Sequence, residues 1–287
     1  KHNLIKDAIF SPRINVRYNP KPFIGLRAGY STGFRAPQAF DEDLHITAVG
    51  GDVSIIRLAP DLEEERSNTV NFSADFYKTF GTVRTNVLIE GFYTHLKDVF
   101  LLEKIGQDDQ GNILLERRNG SGAVVKGVNI EGKIVPIRPI EIQMGVTFQR
   151  STYDEPETWS DNEHIAPQRR MFRTPDRYGY FTANYLPEDQ LSFSFSGIYT
   201  GSMLVQHFAG FIPEDAEVVT PSFFDLSFKV AYVFKPAFNT RLQLNAGVQN
   251  IFNSYQNDFD QGPFRDSGYI YGPSLPRTFF AGLKLSL

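Results

Sequence analysis

Apolar and polar residues trade places along this chain with a period of two, the signature of strands whose two faces meet different surroundings. In "SPRINVRY", Ile14, Val16 and Tyr18 share one face, with Arg13, Asn15 and Arg17 on the other. "TVNFSADFY" sets Val70, Phe72, Ala74 and Phe76 against Asn71, Ser73 and Asp75, and "IEIQMGVTFQ" sets Ile140, Ile142, Met144, Val146 and Phe148 against Glu141, Gln143, Thr147 and Gln149. "LSFSFSGIY", "FFDLSFKVAYVF" and "TFFAGLKLSL" repeat the pattern. It predicts about eleven strands, near 12–18, 22–31, 67–79, 83–103, 113–135, 139–151, 177–186, 190–202, 222–234, 240–252 and 276–287.

The connections differ in length. Short ones are "NPKP" at 19–22, "FGT" at 80–82, "PIRP" at 136–139, "LPEDQ" at 186–190 and "KPAFNT" at 235–240. Long polar ones lie near 32–66, 152–176, 203–221 and 253–275, while "KIGQDDQGN" at 104–112 is modest, with Gly-Asn as a hairpin tip. Short turns at one end and long loops at the other suit an antiparallel transmembrane β-barrel, and most of these strands reach the roughly 9–11 residues that cross a bilayer at a tilt. The apolar face would then meet lipid. The polar face, with Arg13, Arg17, Arg27, Asp75, Glu131, Glu141, Asp225 and Lys229, would line the lumen. If the short turns are periplasmic, the first strand descends from outside and the last ends inside. An odd number of strands in that sense is part of a larger barrel, so residues 1–287 are expected to be its C-terminal part.

Composition sharpens this picture. The chain has 26 Phe and 13 Tyr against one Trp, which favours β structure. A net charge of −4 argues against a nucleic-acid partner held by phosphate attraction. The absence of cysteine excludes disulfides, thiolate metal sites and a Cys nucleophile. The opening "KHNLIKDAIF" lacks the apolar core and cleavage site of a signal peptide, and no apolar run is long enough for a membrane helix.

Several stretches resemble the C-terminal half of TonB-dependent outer-membrane receptors. They are "FSPRINVRYNP" followed by "LRAGYSTGFRAPQ", then "APDLEEERSNTVNFSADF", "VVKGVNIEGKI", "RTPDRYGYFTANY" and "GVQNIFNSYQ", in the family's order over most of the chain. Leu287 departs from the terminal aromatic usual in outer-membrane proteins, although Gly282, Leu285 and Leu287 keep the spacing of an assembly signal. The resemblance implies a barrel of about 22 strands around a plug, of which this chain would supply about eleven and no plug. It implies uptake of a scarce large ligand, a ferric siderophore or another metal chelate first and cobalamin or haem after, powered through TonB. The implied partners are the N-terminal plug and remaining strands, the TonB complex through an N-terminal box, outer-membrane lipid and a surface lipoprotein. The implied location is the outer membrane of a Gram-negative bacterium. No cofactor is called for.

Ligand chemistry is expected on the long loops, because variable chemistry sits on loops held by a rigid scaffold. Phe34 and Arg35 form the rim after the second strand, and "FDEDLH" beyond them offers Asp41, Asp43 and His45 to a divalent metal, without the spacing of an EF-hand. "TWSDNEHIAPQRRMF" brings Trp159, His164, Arg169 and Arg170, an aromatic and basic set suited to an anionic chelate. "SMLVQHFAGFIP" is apolar for a loop and carries His207 and Phe208 as a ligand platform, with His207 as a lone haem-ligand candidate. The alternatives are a solvated acidic loop at 41–45, a 158–172 loop packed on its neighbours and a His207 that only hydrogen-bonds, while the lumen charges can serve hydration or plug contact. No GxSxG, HExxH or phosphate-cradling loop points to catalysis. A passive porin or adhesive barrel without a plug, and a soluble β-sandwich, are the competing readings.

Overall fold

The computed structural model describes residue 5 and residues 8–38, 54–110, 113–234 and 240–286, which form strands, turns and loops without a helix. The strands are β1 (Arg13–Lys21), β2 (Ile24–Arg35), β3 (Ser54–Leu58), β4 (Glu65–Phe80), β5 (Val83–Lys97), β6 (Phe100–Gln107), β7 (Ile113–Asn119), β8 (Ala123–Val135) and β9 (Ile140–Glu157). Then follow β10 (Gln168–Arg170), β11 (Arg177–Glu188), β12 (Leu191–Thr200), β13 (Leu204–His207), β14 (Ala216–Val219), β15 (Phe223–Phe234), β16 (Arg241–Gln249) and β17 (Thr278–Ser286).

Eleven of them make one sheet in the order β1-β2-β4-β5-β8-β9-β11-β12-β15-β16-β17, and short β10 extends it beside β9. Every pair in it is antiparallel. The alternation therefore predicted the number of strands in the main sheet. Among the described residues β1 and β17 each pair with a single neighbour and form the two ends of the sheet.

Two expected strands are shorter than the pattern suggested. The 83–103 and 113–135 stretches divide into β5 plus β6 and β7 plus β8. At the break Asp98 takes a left-handed φ of 57°, and the Asn119 side-chain amide donates to the carbonyls of Asp98 and Glu63 at 2.7 and 3.1 Å. The chain then leaves the main sheet, and β6 and β7 pair with each other while β3 joins β7 in parallel. The 104–112 connection is thus the end of a projecting hairpin, its expected tip at 111–112 lying outside the described residues.

Register fixes the faces, because directly paired residues share one side of a sheet. One row runs Ile14, Tyr30, Val70, Tyr93 across β1, β2, β4 and β5. Another runs Ile142, Ala183, Phe195, Phe228, Val248, Phe279 from β9 to β17. This apolar face is open: Ile14 is 61% exposed, Phe72 54% and Phe279 77%. An apolar surface spread over every strand far exceeds what a protein in water leaves uncovered. Arg13, Arg17, Arg27, Asp75, Glu131, Glu141, Asp225 and Lys229 all fall on the opposite face, as expected from the period. No helix among the described residues is long and apolar enough to cross a membrane, which says nothing about strands.

Candidate functional site

The long connections emerge at one end of the sheet, and three of them, 158–176, 201–222 and 250–277, pack into one body. The chain builds it from β13 and β14, a four-rung hairpin whose Met203 and Val205 bury against Tyr269, with Val218 and Tyr271 alongside. Polar groups finish the interior. Gln256, only 1% exposed, donates to the Tyr269 carbonyl and accepts from the Tyr271 and Gly272 amides. Asp266 accepts from the amides of Phe208 and Gly268, and Asp260 accepts from the amide of Asp266.

His207 sits inside this body. Its Nε2 lies 2.9–3.0 Å from the two carboxylate oxygens of Asp260, and its ring stacks on Tyr269. At 7% exposure the imidazole has no open side for a haem iron, so its place is structural. Phe208 packs near-perpendicular to Trp159 with ring centroids 5.4 Å apart.

Trp159 joins the 158–176 segment to β14. Its indole N–H donates to Glu217 at 3.0 Å, and the Phe172 ring stands steeply to it with centroids 5.8 Å apart. Asn162 and Gln168 donate to Glu214 and Glu217, and the Ser160 hydroxyl donates to Asp215. His164 is exposed and folds back on the side-chain oxygen of Asn162. Arg169 is exposed, beside the Asp154 carbonyl and Glu155, whereas Arg170 is half-buried on Asp176 at 3.0 Å. The "TWSDNEHIAPQRRMF" residues are thus one layer of the loop body, with His164 and Arg169 at its surface.

Phe34 and Arg35 part company. Adjacent residues of a strand face opposite ways, so Phe34 lies on the apolar face, 47% exposed, and Arg35 on the polar one. Arg35 approaches Glu65 at 3.6 Å and covers the Phe100 ring at 5.7 Å, while Glu65 accepts from the Phe100 amide. The rim arginine therefore ties β2 and β4 to the β6–β7 hairpin. Phe34 is no part of a site on the polar side.

The polar face carries linked groups. Asp75, 5% exposed, accepts from Asn86 and the Tyr77 hydroxyl and faces Arg27 at 3.8 Å. Glu90 accepts from the amides of Asn71 and Asn129, and Asn129 in turn accepts from Thr147. Lys133 pairs with Glu141 at 2.9 Å. Arg13, Asn15, Asn71, Glu90, Asn129 and Tyr178 line a recess of about 350 Å³ on this face. Such a wall is suited to holding a hydrogen-bonding body in the lumen.

Sequence reasoning missed Gln256, Asp258, Asp260, Asp266 and Arg173. The guanidinium of Arg173 donates to the carbonyls of Gly268 and Ile270, and burial pushes its pKa down. Burial first and Asp258 second push Tyr269 up to about 12, and Tyr271 is raised in the same way. The conspicuous "QNIFNS" stretch proves to be a clasp. Asn250 and Asn253 have φ of 51° and 55°, Asn250 donates to the Ser254 and Leu275 carbonyls, and Asn253 accepts from the Arg277 amide. Among the described residues no three His, Asp or Glu side chains gather in a metal-holding geometry. Asp41, Asp43 and His45 lie outside the described residues.

An eleven-stranded sheet with one charged and one exposed apolar face, crowned by interlocked loops, is the architecture of an outer-membrane barrel segment. The family model for the TonB dependent receptor-like β-barrel matches residues 3–251, and the chain belongs to that family. Its members are transport receptors of the Gram-negative outer membrane. No curated protein matches the sequence significantly.

Among solved structures, a variant of the ferric enterobactin receptor PfeA from Pseudomonas aeruginosa aligns with a TM-score of 0.64 and 16% identity, over 96% of this chain and 40% of that one. The ferric-catecholate import receptor Fiu from E. coli gives 0.62 and 16%, over 95% and 34%. The FrpB iron transporter from Neisseria meningitidis gives 0.59 and 14%, over 95% and 38%. At these identities the likeness is one of fold, and this chain spans about two-fifths of the length of those proteins.

Proposed function

We propose that this chain is the C-terminal half of the barrel of an outer-membrane active transporter that imports a scarce metal chelate, a ferric siderophore first among them. The observation that carries the reading is the match of the family's barrel over 3–251, coupled to an eleven-stranded sheet that aligns over nearly its whole length with iron-chelate receptors. In this reading the apolar face meets lipid, and the polar face of Arg13, Arg17, Arg27, Asp75, Glu131, Glu141, Asp225 and Lys229 meets the plug. TonB energises the plug through an N-terminal box.

The exposed Arg169 and His164, beside the Trp159 layer, are the groups best placed to meet an anionic chelate from outside. Arg170 is held by Asp176, and His207 and Phe208 support the layer from within.

The test is growth of a strain lacking the whole receptor under iron restriction, with single ferric chelates supplied. Loss of growth on one chelate, restored by the wild-type gene and abolished again without TonB, is the expected result. Growth unchanged on every ferric chelate, with passive leakage of small solutes lost instead, would replace the transporter with a porin.

A further inference from the structure

The apolar face of the sheet carries a group of cations that the transport reading leaves unused. Lys126 on β8 is the direct cross-strand partner of Arg150 on β9. Arg177 on β11 stands level with Phe148, two residues from Arg150 on the neighbouring strand. The rows make their side unambiguous: Lys126 also pairs with Tyr93, and Phe148 with Val128, all on the apolar face. All three cations are exposed, and none has a carboxylate partner among the described residues.

The placement is unusual on two counts. Like charges directly opposite on a sheet repel and destabilise it unless an anion comes between them. A cation on an apolar membrane face is also costly, least so where the face meets the headgroups. These three lie at the end of the strands that carries the long connections, and exposed Val128, Phe148 and Met144 continue below them. The nearby acid on this face, Asp154, is engaged by His95 at 2.9 Å. Two guanidinium forks and an ammonium, above an apolar surface and beside the Tyr93 ring, fit phosphates whose acyl chains run down the wall.

We propose that Lys126, Arg150 and Arg177 form a binding site for the phosphate groups of an anionic lipid of the outer leaflet, seated on the outside of the barrel. The site rests on the membrane reading of the apolar face. Its acyl chains would cover Val128, Phe148 and Met144 while the phosphates neutralise the cross-strand repulsion.

The experiment uses the whole receptor in a non-ionic detergent, with diphosphoryl lipid A as probe and native mass spectrometry as readout. We expect retained lipid A, at least tenfold weaker binding in the triple variant Lys126→Gln, Arg150→Gln, Arg177→Gln, and unchanged binding in the polar-face variant Arg13→Gln, Arg17→Gln. Dephosphorylated lipid A should bind at least tenfold less, and inorganic phosphate at equal phosphate concentration should not compete. Equal binding by wild type and triple variant overturns the site, and full competition by inorganic phosphate assigns it to a free anion instead. The membrane reading is tested apart from this. A fluorophore on Phe195→Cys should be quenched by brominated acyl chains, and no quenching there would sink that reading whatever lipid A does. A variant that fails to fold is replaced by Arg150→Gln alone, for which at least threefold weaker binding is expected and unchanged binding overturns the site.

Discussion

The imidazole of His207 lies flat on the ring of Tyr269, with centroids 3.6 Å apart and 8° between the planes. One residue ends β13 and the other belongs to the 250–277 connection, so this contact and the Asp260 carboxylate lock two loops together. Removing Asp260 leaves the imidazole and the Asp266 amide without an acceptor, a loss of about 1–3 kcal/mol for each buried group. Asp260→Ala should therefore open the loop body to protease well before the sheet melts. Cleavage confined to 201–222 and 250–277 is the expected pattern. Wild-type protection would mean that the contact holds nothing.

The Tyr269 hydroxyl gives the same body an alkaline limit. Its folded pKa is pushed up to about 12 by burial and by Asp258, from an ordinary 10.0. The folded state thus favours the neutral phenol. That contribution is complete below the unfolded value and is lost as pH climbs through the folded one. Loops should loosen between about pH 10 and pH 12, followed through tyrosinate absorbance. Asp258→Asn should lower the Tyr269 midpoint without returning it to 10.0, because burial is the larger cause.

Trp159 is the only tryptophan of the chain, wedged between Phe172 and Phe208 and bonded to Glu217. Trp159→Ala should cost about 3–5 kcal/mol of local stability, as loss of a packed aromatic does. Glu217→Gln should shift its emission while keeping the packing. An unmoved spectrum would show the indole to be solvated.

Phe195 and Phe228 are paired across β12 and β15 with ring centroids 4.7 Å apart on the apolar face. Phe228→Arg or Phe195→Arg should impair insertion by about 2–4 kcal/mol at mid-membrane. Lys229→Ala, one residue away on the polar face, should assemble normally. A gel-mobility assay of folded against unfolded barrel distinguishes them, and the reverse order would exchange the faces.

Much of this was legible because strand faces are a one-dimensional property. The side of Asp225 or Phe228 follows from counting by two, and both came out where the count put them. Loop chemistry had no such rule. His207, a lone haem-ligand candidate in the sequence, is buried by Asp260 and Tyr269 from a segment more than 50 residues later. Arg35 and Phe34 were grouped by proximity in sequence, yet the pleat separates them. The strand break at Asp98 was hidden because alternation continues through it into a different sheet.

The sequence alone determined the period, and with it the eleven sheet strands, their two faces and the division of connections into short and long. That follows from backbone geometry, in which each residue decides its side from its neighbour. Tertiary structure decided which loops interlock, which polar side chains are buried and which cations on the apolar face are left unpaired. Those outcomes depend on contacts between segments far apart in sequence, as in the stacking of His207 on Tyr269, and alternation within a strand carries no information about them.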